Sequence, residues 1–456
     1  MKQETKEFLY SLGNFGIRPG LDNITEVLNR LDHPEHLPGI IHVAGTNGKG
    51  STIMYLEQLL LDKGKNVGVT TSPHLVKLNE RFRFNAQEIK DSELEYYVDM
   101  LFNICGINHG NQSNPNEWNI RLTFFEYMIV IAFLWFRDKG TEYILLETGM
   151  GGRLDATNIV KSMVQVITPI SFDHSEYLGD TVEKIAREKA GILKPDTHSV
   201  IAPQIQLVTS LLKQRCDEIY NTTKLYGIDF TSNSLKNVFE NFINSKFETD
   251  KIHPSNNTLV YAGEHQLTNA TVASETFKII CDFESWEINL ADQVQSILKV
   301  SYRGRCDIVS VDPMIVCDGA HNVAGMESLI IFLKQNFHDK KILMAMNFMR
   351  DKELIPALRN TENLDITFIP VEIDFDRALK GIECESLLKK SGFNTIAPLN
   401  ISSLIRWLFN SEYKYEVAVI AGSLYLLGEF YDAFSRKEEI LNNKTLPFDA
   451  IEYMRV

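Results

Sequence analysis

The sequence predicts an α/β protein of two domains, and three observations predict it. Short apolar runs alternate with helix-patterned stretches up to about residue 290, a second such series follows, and 456 residues are too many for one ordinary core. In the first series GIIHVAG, NVGVTTS, EYILLETG, SMVQVITPI and HSVIAP read as strands, with helical stretches at about 51–63, 121–138, 180–191 and 204–219. In the second, MIVCDGAH, KKILMAMN, LDITFIPVE and YEVAVIAGS read as strands. Such alternation implies mainly parallel sheets covered by helices. The turn from series one to series two falls near 291–302, giving domains 1–296 and 297–456, although no Pro/Gly-rich linker marks it. The polar stretch INHGNQSNPNEWN at 107–119 reads as a surface loop.

Composition narrows the class. Hydrophobic content of 44% and charged content of 23% are those of a soluble globular chain. The start, MKQETKEFLY, has no apolar signal-peptide core, and LTFFEYMIVIAFLWF is too short to span a bilayer and carries Glu126, so it reads as a buried helix. A formal charge of −14 argues against nucleic-acid binding, because phosphate backbones select basic surfaces. The six cysteines, at 105, 216, 281, 306, 317 and 384, form no C-x-x-C pair. Neither a zinc site nor a disulfide framework is indicated, and a reduced, cytoplasmic setting without membrane contact is expected.

The stretch GIIHVAGTNGKGST, at 39–52, carries the chemistry. It leads from a strand through glycines into a helix, so the first domain is P-loop-type and the second, without such a loop, Rossmann-like. Gly45, Gly48 and Gly50 free the backbone for close approach to a ligand, and the helix start offers unpaired N–H groups to a polyphosphate. Lys49 is placed to neutralise phosphates, and the Ser51 or Thr52 hydroxyl to reach their magnesium. The strict G-x-x-x-x-G-K-[ST] pattern is not met: Val43 stands where its first glycine belongs, and Gly50 follows Lys49.

AGTNGKGST resembles the variant phosphate loop of the Mur-ligase superfamily of ATP-dependent amide-forming enzymes. With TSPHL at 71–75, LTFFE at 122–126, ETGMGGRLDATN at 147–158, DHSEYLG at 173–179, IAREKAGILKP at 185–195, GRCDIV at 304–309, DGAHN at 318–322 and GSLY at 422–425, it is similar to the folylpolyglutamate synthase/dihydrofolate synthase branch. The resemblance implies ATP, two magnesium ions, a folate or dihydropteroate and L-glutamate as ligands, an acyl-phosphate intermediate, and a monomer. A cell-wall Mur ligase would carry a substrate domain before the loop, where this sequence has 44 residues before Gly45. A nucleotide-binding switch would have no use for REKAGI or DGAHN. Whether dihydropteroate, tetrahydrofolate or both are extended stays open.

By the same resemblance the loop residues Gly45, Thr46, Asn47, Gly48, Lys49, Gly50, Ser51 and Thr52 hold ATP, while Ser51, Ser72, Glu147 and His174 form the magnesium shell. Glu147 ends an apolar strand, where ligands of parallel sheets bind, and its hard oxygen suits magnesium. Imidazole prefers softer metals, so His174 rests on motif position. Lys189, flanked by Lys184 and Lys194, reads by composition as part of a solvated helix face; the resemblance instead implies carbamylation and a second magnesium. Asn269, Arg305, Asp318 and Ser423 are implied on the nucleotide from the opposite side, with His321 catalytic beside Lys189 and His174. Arg303 replaces the family's usual proline, leaving open which arginine faces phosphate. The pterin is implied near Thr123, Phe124, Phe125 and Glu126, and near Leu154, Asp155 and Ala156, although Phe124 and Phe125 also fit a helix core.

Overall fold

The computed structural model describes residues 1–15, 20–107, 118–246, 263–410 and 414–442; of the expected surface loop at 107–119, residues 108–117 lie outside these. The chain forms two compact units, one of Met1–Val238 with Thr268–Ile297, the other of Phe239–Leu267 with Leu298–Val456.

The first unit is built on an eight-stranded sheet. Its strands are β1 (Ile40–Ala44), β2 (Val67–Thr70), β3 (Phe82–Phe84), β4 (Gln87–Glu88), β5 (Tyr143–Glu147), β6 (Val164–Ile167), β7 (His198–Ile201) and β8 (Thr222–Leu225), in the order β4-β3-β2-β5-β1-β6-β7-β8. All pairings are parallel except those that join β3 to β2 and to β4. Every residue of β1, β2, β5 and β6 is buried, which is why these strands read as unbroken apolar runs. Helix Phe124–Asp138 shares a hydrophobic cluster with Ile144 and Leu146 of β5, whereas helices Val182–Ala190 and Gln206–Glu218 cluster with Ile167 and Ile201. Among the described residues no helix is long and apolar enough to cross a membrane. Glu126, the acid inside the apolar run, closes a capping box with Thr123 at that helix's first turn.

Register decides where the site lies. Val43 of β1 pairs with Glu147 of β5, and Ala44 pairs with Ile167 of β6, so three strands end level with one another. The chain leaves β1 toward β2 on one side, and crosses from β5 to β6 on the other. The carboxyl ends of β5, β1 and β6 therefore flank a topological switch point, the usual ligand crevice of such sheets.

The second unit has a six-stranded sheet: β9 (Asp307–Val311), β10 (Met314–Cys317), β11 (Lys341–Met346), β12 (Asp365–Glu372), β13 (Leu399–Asn400) and β14 (Val417–Ala421), ordered β13-β12-β11-β14-β10-β9. Only β9 runs antiparallel, as a hairpin with β10. DGAHN leaves β10 and GSLY leaves β14 side by side: Asp318 N donates to the Ile420 carbonyl at 3.0 Å and Gly422 N to the Ala320 carbonyl at 2.9 Å.

Candidate active site

The loop after β1 is held from below by the loop after β6. Thr46 N and Asn47 N donate to the Pro169 carbonyl at 2.9 and 3.3 Å, and the Thr46 hydroxyl donates to the Ser171 carbonyl at 3.0 Å. Gly48 has φ of 88°, and a Cβ there would lie 2.3 Å from Asn269 Oδ1. Only glycine meets both demands, the left-handed turn and the close side-chain neighbour. Helix Lys49–Leu61 then starts with no side-chain cap, leaving its first N–H groups directed at the turn.

Two amines converge on one carbonyl oxygen. Lys49 Nζ donates to Gly45 O at 3.2 Å and Lys189 Nζ donates to it at 2.7 Å. Lys189 is buried, so the reading of a solvated helix face does not hold. Burial and then the Lys49 charge pull its pKa down to about 7, against the opposing pull of Asp173 and Asp155. What buries it is the glycine loop after β5: Arg153 N donates to the Glu188 carbonyl at 2.8 Å, and a Cβ on Gly152 would meet that carbonyl at 2.7 Å.

Glu147 faces Lys49. Its Oε1 lies 3.8 Å from Lys49 Nζ and its Oε2 accepts from Ser72 N at 2.9 Å. The Ser51 and Thr52 hydroxyls are buried with no hydrogen-bond partner among the described residues. Buried hydroxyls of this kind are costly unless a ligand answers them, and hard oxygens beside a carboxylate suit magnesium. His174 is half-exposed, in a left-handed turn, with Nε2 4.0 Å from Asp173 Oδ1.

The expected pterin residues divide into two kinds. Phe124 lies nearly parallel to the Tyr10 ring, 6.3 Å away, under the Arg81 guanidinium at 5.1 Å. Phe125 packs on Gly149, and Leu154 is solvent-exposed. Thr123 and Glu126 are engaged with each other's backbone as the helix cap. Ala156 is buried, and Asp155 is buried with its carboxylate accepting from Met150 N, Thr157 N and the Thr157 hydroxyl; desolvation raises its pKa. Sequence reading did not single out Tyr10, His74 or Arg81. Arg81 Nε donates to His74 Nδ1 at 2.8 Å, and the Tyr10 hydroxyl lies 3.4 Å from Nε2 of that ring. Burial, then the Arg81 charge, lowers the His74 pKa to about 3, so the ring is neutral. The visible signal was the histidine within TSPHL.

In the second unit Asp318 ties two loops together, accepting from Cys306 N at 2.8 Å and Ala320 N at 2.9 Å. The two arginines separate clearly. A Cβ on Gly319 would meet Arg305 NH1 at 2.3 Å, so Arg305 lies on DGAHN, while the Arg303 guanidinium sits over the Tyr431 ring at 5.6 Å. His321 Nδ1 is 2.7 Å from the Gly319 carbonyl, and Ser423 caps its helix through Tyr425 N and Leu426 N.

A parallel sheet whose central strand opens into a glycine loop, with a lysine and an acid at its carboxyl edge, defines a nucleotide-dependent α/β class. The profile of the Mur ligase middle domain family matches residues 43–276. The dihydrofolate synthase/folylpolyglutamate synthase of Bacillus subtilis is 29% identical over 94% of this chain and 97% of its own, and that of Haemophilus influenzae is 30% identical over 90% and 92%. Mycobacterium tuberculosis folylpolyglutamate synthase complexed with ADP and AMPPCP superposes with a TM-score of 0.76 at 26% identity, covering 95% of this chain and 99% of that one. Escherichia coli FolC in complex with DHPP and ADP gives 0.76 at 25%, covering 95% and 98%. The chain belongs to the folylpolyglutamate synthase/dihydrofolate synthase family of the Mur ligase superfamily.

Proposed function

We propose that this enzyme is an ATP-dependent ligase that joins L-glutamate to a folate. The observation that carries the reading is the meeting of Lys49, Lys189 and Glu147 at one glycine loop, at the carboxyl ends of β1 and β5. A carboxylate and an amine do not condense unaided in water, so the carboxylate must be activated. The terminal phosphoryl group of ATP passes to the folate carboxylate, ADP leaves, the glutamate amine attacks the acyl phosphate, and inorganic phosphate departs.

The loop backbone and Lys49 bind and orient the phosphates of ATP, with the Asn269 side chain toward the base. Ser51, Ser72, Glu147 and His174 are the residues that would hold magnesium, and carbamylated Lys189 would add an anionic oxygen for a second ion. When bound, these ions supply charge neutralisation among three anionic substrates. A buried amine beside another cation is the setting in which lysine loses its proton and accepts CO2. Domain 1–296 carries ATP and folate, and in domain 297–456 Arg305, Asp318, Ser423 and His321 are the residues proposed for nucleotide. Phe124, with Tyr10 and Arg81 around it, offers an aromatic and cationic surface to a flat heterocycle bearing a carboxylate.

Phosphate release from ATP tests the reading. It is expected only when a dihydropteroate or reduced folate and L-glutamate are both present, with one glutamate or several appearing on the product. Turnover without glutamate, or turnover that accepts only a nucleotide-linked peptide, would refute it. Comparing dihydropteroate with tetrahydrofolate as acceptor in that assay assigns one activity or both.

A further inference from the structure

We infer a transition-metal site, remote in sequence from the phosphate loop, formed by His33, Glu35 and His36 in the turn between helix Asp22–Arg30 and β1. The ligand atoms of these three side chains all lie within 4.8 Å of one another. His33 Nδ1 is 3.0 Å and His36 Nε2 3.7 Å from the same oxygen, Glu35 Oε1. Both rings thus bring a nitrogen to one carboxylate; they are stacked, interplanar angle 9° and centroids 4.7 Å apart, so one ring must turn before both in-plane lone pairs point at a single ion. Around a tetrahedral zinc with bonds of about 2.1 Å, ligand atoms stand about 3.4 Å from one another, and this set reaches that spacing when the exposed His36 ring turns out of the stack.

Glu35 supplies the independent observation. Its side chain is 8% exposed, whereas those of His33 and His36 are 44% and 64% exposed. Its second oxygen, Oε2, is buried with no hydrogen-bond partner among the described residues. Among the described residues the ion-pair partners of this shielded carboxylate are the two imidazoles, whereas buried carboxylates ordinarily have a fixed counter-charge. A cation held between Glu35 and the two rings supplies it. The backbone already positions the donors: His33 N donates to the Leu28 carbonyl at 3.0 Å, His36 N to His33 O at 3.1 Å and Leu37 N to Glu35 O at 2.8 Å. Two imidazoles and one carboxylate select zinc or a neighbouring late transition ion over magnesium, and the exposed side leaves a position for water. Such an ion would tie the end of the helix to the entry of β1, the strand that leads into the phosphate loop.

The test is calorimetric titration of ZnCl2 into the full-length, EDTA-treated protein in buffer saturated with Mg2+, which occupies hard-oxygen sites. Wild type is expected to bind one Zn2+ that Glu35→Gln, His36→Gln and the His33→Gln/His36→Gln double variant bind more weakly, each by more than the roughly tenfold that loss of even an outer-shell partner produces. His36→Gln changes an exposed side chain and keeps the test informative if the double variant misfolds. Thermal unfolding with and without ZnCl2 is the second readout, with a rise expected in wild type and a smaller one in the variants. Absence of Zn2+ binding in wild type, or identical binding by wild type and His36→Gln, would overturn the site.

Discussion

Lys189 Nζ and the Gly45 carbonyl are 2.7 Å apart, a buried bond between a helix and the first residue of the phosphate loop. Both a structural anchor and a carbamylated ligand place an amine here, and the two roles separate experimentally. Lys189→Arg keeps a donor but accepts no CO2. Under the carbamate role, Lys189→Arg and Lys189→Ala both lose about 10²-fold or more in turnover, the size expected when a charged group is removed from a reaction site. Intact-mass spectra in bicarbonate should show one added CO2 in wild type alone. A Lys189→Arg variant with wild-type turnover, or an unmodified active enzyme, would count against it.

Gly48 and Asn269 form a lock-and-key pair within the first unit. Alanine at 48 must adopt φ of 88° and place its Cβ 2.3 Å from Asn269 Oδ1. The left-handed conformation alone costs roughly 1–2 kcal/mol, so Gly48→Ala is expected to lower both stability and ATP affinity. In a double-mutant cycle with Asn269→Ala the clash disappears while the backbone strain persists, so the two effects should fall short of additive. Strict additivity in urea unfolding would show that the two residues do not touch.

The central strands and the phosphate loop were legible because their physics is local. IIHVA reads as a buried parallel strand from five residues, and the glycine turn from the next four. The hairpin strands FRF and QE, and the edge strand TTKL, were not legible: they are short, and QE and most of TTKL lie at exposed or half-exposed edge positions where no apolar run is required. The site divided the same way. Glu147 could be found from its strand end. The burial of Lys189 depends on a loop at 151–153 that covers its helix, and the Tyr10–His74–Arg81–Phe124 cluster gathers three distant segments, which no single window of sequence displays.

Ser51 separates folding from function. Its hydroxyl is buried and unpartnered among the described residues, so Ser51→Ala removes an unsatisfied group and should leave the ligand-free protein as stable as wild type, or up to about 1 kcal/mol more stable. If the hydroxyl answers the nucleotide's magnesium, the same variant should need more Mg2+ for half-maximal turnover. A loss of stability with unchanged Mg2+ dependence would make Ser51 a packing residue.

Arg305 and Arg303 are two residues apart and are expected to behave differently. Arg305 lies on Gly319 of DGAHN, whereas Arg303 covers Tyr431, whose hydroxyl accepts from Gly304 N at 2.7 Å and donates to Asp307 at 2.6 Å. Arg305→Ala should reduce kcat/KM for ATP by about 10²-fold, a typical loss for one stabilising group, and Arg303→Ala by less than about tenfold. The reverse order would give the phosphate role to Arg303.

His42 sets an acid limit on the first unit. It is fully buried in β1, and its Nε2 lies 2.7 Å from the Thr157 hydroxyl, which gives its one hydrogen to Asp155. His42 is therefore the donor, neutral, with its proton on Nε2. Burial first and the Lys194 charge second push its pKa down to about 3, from 6.5. Because the folded state resists protonation while the unfolded state takes a proton below about pH 6.5, stability from this group is complete above that value. It falls as pH drops from there toward 3. His42→Gln keeps an N–H donor and removes the titration. Its urea midpoint should decline less steeply than that of wild type on acidification through this window, by at most about 1.4 kcal/mol per pH unit in the derived free energies. His74 titrates in both proteins and cancels in the comparison, so parallel declines would mean that His42 is protonated in the folded state.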